Sequence, residues 1–128
     1  MSRYTVAVLR ELTASHFLIG GDWGRENEPH AHDYRVEASF SGDALDRHGY
    51  LVDISVVERH LDKIVERYRG RMLNDLPELE GRNPSLERFA RLLAEGMARA
   101  LAPENLDALS IKLWESPTAF ATYTVAFR

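Results

Sequence analysis

The chain has 128 residues, a 45% hydrophobic fraction, a formal net charge of -4 and no cysteine. That length makes one domain with a core of its own, and the acidic balance lacks the basic excess that binding to a phosphate backbone requires, so nucleic acid is not an expected partner. The absence of cysteine excludes disulfides, thiolate ligands and a thiol nucleophile. Arg3, Arg10 and Glu11 interrupt the stretch where a secretory signal needs an apolar core, and no run reaches the length of a membrane span. A cytoplasmic protein without membrane contact is expected.

From Tyr4 to His16, one parity reads Tyr4, Val6, Val8, Arg10, Leu12, Ala14, His16, which predicts a strand ending in a histidine. Gly20 to Pro29 combines turn formers with charge and reads as a surface loop. A second strand runs from His30 to about Phe40, with His30, His32, Tyr34, Val36, Ala38 and Phe40 on one face and Asp33, Arg35, Glu37 and Ser39 on the other. His48, beside Gly49, reads as a turn residue. Ser55 and Glu58 have the spacing of a capping box, and Val57, Leu61, Ile64, Val65 and Tyr68 predict a helix that ends near Gly70. His60 lies on this helix, exposed or partly packed. Met72 to Arg82 reads as an ordered connection. Asn83 is placed to cap a second helix beginning at Pro84, with Leu86, Phe89, Leu92, Leu93, Met97, Ala100 and Leu101 as its buried stripe and Pro103 after its end. Leu109 to Glu115 and Ala119 to Phe127 predict two more strands, with Ile111, Leu113 and Glu115 on one face. Trp23 and Trp114 read as packing residues.

The order is β-β-α-α-β-β with no internal linker, an α+β domain spanning residues 1–128. Two helices can cover only one face of a four-stranded sheet, so the other face or the edges call for a second copy, and a symmetric homo-oligomer is expected.

The chemistry concentrates in Pro29-His30-Ala31-His32-Asp33-Tyr34. On an extended strand His30 and His32 point the same way and can close on one ion. If the first strand pairs with the second, His16 brings a third imidazole, and three His with an open position is the ligand set of catalytic zinc.

Taken in order, Ala14-Ser15-His16, His30-Ala31-His32-Asp33-Tyr34, Val52-Asp53-Ile54, Leu73-Asn74-Asp75, Asn83-Pro84-Ser85 and Glu115-Ser116 resemble the 6-pyruvoyl-tetrahydropterin synthase family, which includes the 6-carboxy-tetrahydropterin synthases. No one of these segments is specific; the ordered set is. The resemblance covers nearly the whole chain. It implies the tunnelling fold, a four-stranded antiparallel sheet with two helices on one face, assembled as trimers or hexamers into an oligomeric barrel with sites at subunit interfaces. It further implies zinc on His16, His30 and His32, and a pterin ring anchored by Glu115, which by itself would be only a strand-end carboxylate.

Two departures bear on the reaction. The family usually has Cys four residues before the first His of its HxH motif, acting as base, and here that residue is Glu26. It usually has an Asp-His pair before Leu-Asn-Asp, where this chain has Arg69 and Gly70. Some relatives replace the Cys with a nearby Glu and cleave the pterin side chain, a role open to Glu26 or Glu28. A carboxylate suits removal of a hydroxyl proton for retro-aldol cleavage better than removal of a carbon proton for triphosphate elimination. The resulting expectation is a zinc-dependent lyase acting on dihydroneopterin triphosphate or a related pterin. The alternatives are a non-catalytic zinc- and pterin-binding relative and an enzyme of the same fold on another heterocyclic substrate.

Overall fold

A computed structural model describes residues 2–101 and 105–127. Its elements are β1 (Tyr4–His16), β2 (His30–Gly42), α1 (Ile54–Tyr68), α2 (Leu86–Ala100), β3 (Ala108–Ser116) and β4 (Ala119–Ala126). The strands form one sheet in the order β1-β2-β3-β4, every neighbouring pair antiparallel. This is the four-stranded, two-helix architecture expected from the sequence.

Alternation in β2 sets the layering. Tyr34, Val36, Ala38 and Phe40 are buried on one face, where Ile111 and Leu113 of β3 continue the apolar surface. Both helices press amphipathic faces onto it, α1 through Val57, Leu61 and Val65, and α2 through Phe89, Leu93 and Met97. α1 packs on β1, while α2 packs on β3 and β4. Arg10 interrupts the apolar parity of β1 because it faces α1, where it bonds Asp62 at 2.6 Å and Glu58 at 2.8 Å. The opposite face carries Arg35, Lys112, Trp114 and Phe120; the Lys112 ammonium lies 4.4 Å from the Phe120 ring centre and the Arg35 guanidinium 5.2 Å from that of Trp114. Trp114 therefore packs as expected, but on the polar face.

Two helix starts and one stripe residue depart from the sequence reading. α1 is capped by Asp53, whose carboxylate accepts the Ser55 N–H at 2.9 Å; Ser55 is already inside the helix, and Glu58 turns to Arg10 instead of closing a capping box. α2 starts at Leu86, not Pro84. Ser85 is its cap and accepts the Arg88 N–H at 3.2 Å, because the Asn83 side chain is engaged by the Ile19 N–H in a distant loop. Ala100, assigned to the buried stripe, is exposed at the last turn. Pro103 lies outside the described residues.

Between the helices the chain makes two 3-10 turns, Leu73–Asp75 and Pro77–Leu79, that bury Leu73 and Leu79. Gly70 carries the left-handed φ of 70° that ends α1, and its N–H donates to Thr13 in β1 at 2.6 Å. Glu78 is held by Arg67 through bonds of 2.6 and 2.8 Å and by the Tyr68 hydroxyl at 3.0 Å. The Arg67 bond comes first among the causes that hold the Glu78 carboxyl at about 2, against a usual 4.5. A carboxylate whose pKa is depressed by folding contributes stability that is present above its unfolded value and is lost as pH falls toward its folded value. Chemical denaturation followed from pH 5 to pH 2 should therefore show stability falling steadily. Glu78→Gln should flatten that dependence and lower stability at pH 7.

Candidate metal centre

The site grows out of the β1–β2 register. His16 pairs across the strands with His30, and Ala14 with His32, so the three imidazoles meet at one end of the sheet. Their ring centres lie 4.6 Å (His16 to His30), 4.9 Å (His16 to His32) and 4.9 Å (His30 to His32) apart. His16 is 2% exposed. Beneath the rings, Tyr34 stands against His32 and packs edge-on to Phe89 of α2, which meets Tyr68 of α1 in the same way.

The proton positions follow from the partners. His16 Nδ1 lies 2.8 Å from the Pro84 carbonyl and His30 Nδ1 lies 2.7 Å from the Glu28 carbonyl. A carbonyl can only accept, so both Nδ1 atoms donate and each neutral ring keeps its lone pair on Nε2. The Nε2 atoms of His16, His30 and His32 are all buried without a hydrogen-bond partner. Burial lowers the His16 pKa, the neighbouring imidazoles add to the effect and the Pro84 carbonyl opposes it, so this ring is neutral at pH 7. A buried polar atom left unpaired costs about 1–3 kcal/mol, and three gathered together form a set that one cation could satisfy.

Glu26 completes the cluster from a 3-10 turn, Gly24–Asn27, in the loop between β1 and β2. Its Oε2 lies 3.0 Å from His30 Nε2, two acceptor atoms side by side when the imidazole is neutral. One ligand atom from each of His16, Glu26, His30 and His32 lies within 4.8 Å of every other. Three imidazole nitrogens with a carboxylate oxygen can hold a divalent metal ion. Glu28 enters differently: its carbonyl orients His30, and its side chain is exposed.

Glu115 arrives from β3 at an irregularity in the ladder. Trp114 pairs with Phe120 and Ser116 with Ala119, so Glu115 is the extra residue of a bulge. Glu115 keeps the face of Ile111 and Leu113, and its Oε2 lies 4.0 Å from His32 Nε2. Glu115 lines a cleft with His16, His32 and Glu26, bounded further by Leu86 and Glu87 of α2 and by Trp23. The Tyr34 phenol, its pKa raised by burial and by Glu115 and Glu26, stays protonated beneath.

Asparagines fasten the loop that follows β1. Asn74 donates to the Phe17 carbonyl at 2.9 Å and accepts the Phe17 N–H at 3.0 Å, standing in for a strand neighbour beside His16. Asn27 accepts the Trp23 N–H at 2.7 Å and donates to the carbonyls of Leu18 and Gly21 at 2.9 and 3.0 Å. Polar residues in a turn-rich segment announce no such partners, so the Asn27 role was not visible in the sequence. Trp23, read as a packing residue, is 46% exposed at the cleft. Arg69 is exposed and pairs with Glu66 at 2.7 Å, away from the imidazoles, and Gly70 offers only its backbone. His60 is half-buried on α1, while His48 sits in a turn whose N–H is held by Asp46.

A sequence model described as 6-pyruvoyl tetrahydropterin synthase matches residues 5–126. The chain belongs to that family. The 6-carboxy-5,6,7,8-tetrahydropterin synthase of Bacillus subtilis (strain 168), a relative within this tetrahydropterin synthase group, is 27% identical over 119 residues, covering 88% of this chain and 79% of that protein. The 6-pyruvoyl tetrahydropterin synthase of Caenorhabditis elegans shares the fold with a TM-score of 0.83 at 19% identity, covering 98% of both chains. A Plasmodium vivax 6-pyruvoyltetrahydropterin synthase, solved as a catalytic-residue mutant that replaces a Glu with Ala, gives a TM-score of 0.83 at 13% identity over 99% of this chain and all of that one.

Asn74→Ala removes two hydrogen bonds beside His16 and leaves the Phe17 amide groups without their partner. It should lower stability by about 1–3 kcal/mol in urea titrations and weaken divalent-metal binding in the same preparation.

Proposed function

We propose that this protein is a zinc-dependent lyase of the tetrahydropterin synthase family that acts on the side chain of dihydroneopterin triphosphate or a closely related pterin. The observation that carries this reading is the set of three orphaned, buried Nε2 atoms with the Glu26 carboxylate beside them. His16, His30 and His32 would hold the ion. Zinc bound there would supply Lewis acidity to the vicinal hydroxyls of the substrate side chain.

The other roles fall to the chain's own groups. Glu115, at the cleft beside His32, can accept two hydrogen bonds from the ring N3–H and 2-amino group, a bidentate pairing that fixes the ring edge. Glu26 is the proton acceptor in preference to Glu28, because the Glu26 carboxylate lies within the cluster while Glu28 contributes a carbonyl. In the reaction Glu26 takes the C2′ hydroxyl proton and C2′ becomes an aldehyde as the C1′–C2′ bond breaks. The bonding electrons pass into the dihydropterin ring system, and C1′ then gains a proton. The products are a 6-hydroxymethyl dihydropterin and a two-carbon phosphorylated aldehyde. The catalytic Glu named for the Plasmodium vivax structure supports a glutamate in this role. Assembly into a trimer or hexamer, with sites at subunit interfaces, would cover the edges of β1 and β4.

Metal analysis of the purified protein should find one zinc per chain, and His32→Ala should lose it. A metal-free protein with an intact fold overturns the zinc assignment. Incubation of the zinc-loaded protein with dihydroneopterin triphosphate, followed by mass spectrometry, should show the cleavage products. Glu26→Ala should slow their appearance by about 100- to 10,000-fold while Glu28→Ala leaves it nearly unchanged. Saturable pterin binding without any product would instead identify a non-catalytic relative, consistent with the Arg69-Gly70 replacement.

A further inference from the structure

Trp23 is held in a way that its exposure does not suggest. Its ring lies directly on the backbone of Gly21: a Cβ added there would stand 2.6 Å from Cη2 and 2.9 Å from Cζ2 of the indole. The Trp23 backbone N–H donates to Asn27 Oδ1 at 2.7 Å, and the Asn27 amide ties the same turn to the Gly21 and Leu18 carbonyls. The Glu26 carbonyl accepts the Leu18 N–H at 2.8 Å, so the turn that carries Trp23 is the one that presents Glu26. The indole nevertheless remains 46% exposed and, alone among the exposed large hydrophobic residues described, lines the cleft with His32 and Glu115.

An aromatic ring supported on one side and open on the other is prepared for a flat ligand, since little rotamer freedom is lost when the ligand arrives. We infer that Trp23 is the stacking wall of the cleft, against which the face of a bicyclic heterocycle lies while Glu115 takes its hydrogen-bonding edge. This assignment rests on the pterin reading above. It divides recognition between two elements: the loop selects a flat aromatic ring, and Glu115 of β3 selects the pattern of donors along its edge. Gly21 is a positioning residue in this scheme, since any side chain at that position pushes the indole off its seat.

The test is calorimetric titration of the purified chain, as isolated with its metal, with neopterin, which lacks the triphosphate and reads ring recognition apart from turnover. Trp23→Ala should weaken binding by about 5- to 100-fold, the range that loss of one stacking partner gives, and Trp23→Phe should recover most of it. Gly21 is not among the glycines with left-handed φ, so Gly21→Ala should keep the melting temperature of the parent and still weaken binding. In a Trp114→Phe background Trp23 is the one indole left, and its emission should be quenched by neopterin. Binding of neopterin that neither Trp23→Ala nor Gly21→Ala changes by more than twofold overturns the stacking role and leaves the pterin reading intact. Sedimentation of Trp23→Ala as a smaller species, with affinity preserved, makes the indole an intersubunit contact and also overturns it. A wild-type chain that does not bind neopterin overturns both.

Discussion

The site depends on the cross-strand pairing of His16 with His30. Side chains on neighbouring strands share a face only in the correct register, and a slip of one residue would send His30 and His32 to the polar side of the sheet. The register is determined by the core. Tyr34, Val36, Ala38 and Phe40 must lie against the helices, and the imidazoles continue that same parity past the end of the apolar run. Arg10, bound to two carboxylates of α1, secures β1 from the helix side, while the Gly70 N–H donating to the Thr13 carbonyl and the Ser15 N–H donating to the Arg71 carbonyl secure its last residues before His16.

Charge placement around the imidazoles is selective. The backbone carbonyls of Pro84 and Glu28 accept the Nδ1 protons of two rings, and burial keeps His16 neutral, so the His16 Nε2 lone pair faces inward with no proton to share. The groups brought nearest are carboxylates, Glu26 at His30 and Glu115 at His32. Acceptors gathered around acceptors are electrostatically unfavourable without a cation, and this is why the cluster reads as a metal centre more strongly than any one of its contacts does. Protonated Tyr34 and the aromatic contacts through Phe89 to Tyr68 then form a rigid, uncharged floor that limits how far the rings can turn.

Much of this was legible in the residues because it depends on periodicity. Alternation identified both strands that carry the histidines, and helical spacing identified both helices and most of their buried stripes. The helix starts were less legible, since several polar residues near each start could serve as the cap. The choice of Asp53 over Ser55, and of Ser85 over Asn83, was made by partners far away in sequence: Arg10 claims Glu58, and Ile19 claims Asn83. Asn27 and Trp23 escaped for the same reason, because a turn-rich segment shows where the chain bends and not what its side chains will hold.

The sequence by itself determined the α+β order of elements, the shared face of His30 and His32, and, through an ordered set of short segments, the family. Those properties are local or periodic, and a single chain records them directly. Only the tertiary structure decided that His16 stands opposite His30, that Glu26 and not the Glu28 carboxylate joins the cluster, that Glu115 comes within 4.0 Å of His32, and that Gly21 seats the indole at the cleft. Each of these is a meeting of atoms whose separation along the chain says nothing of their distance. Strand register, loop closure and core packing act together to set it.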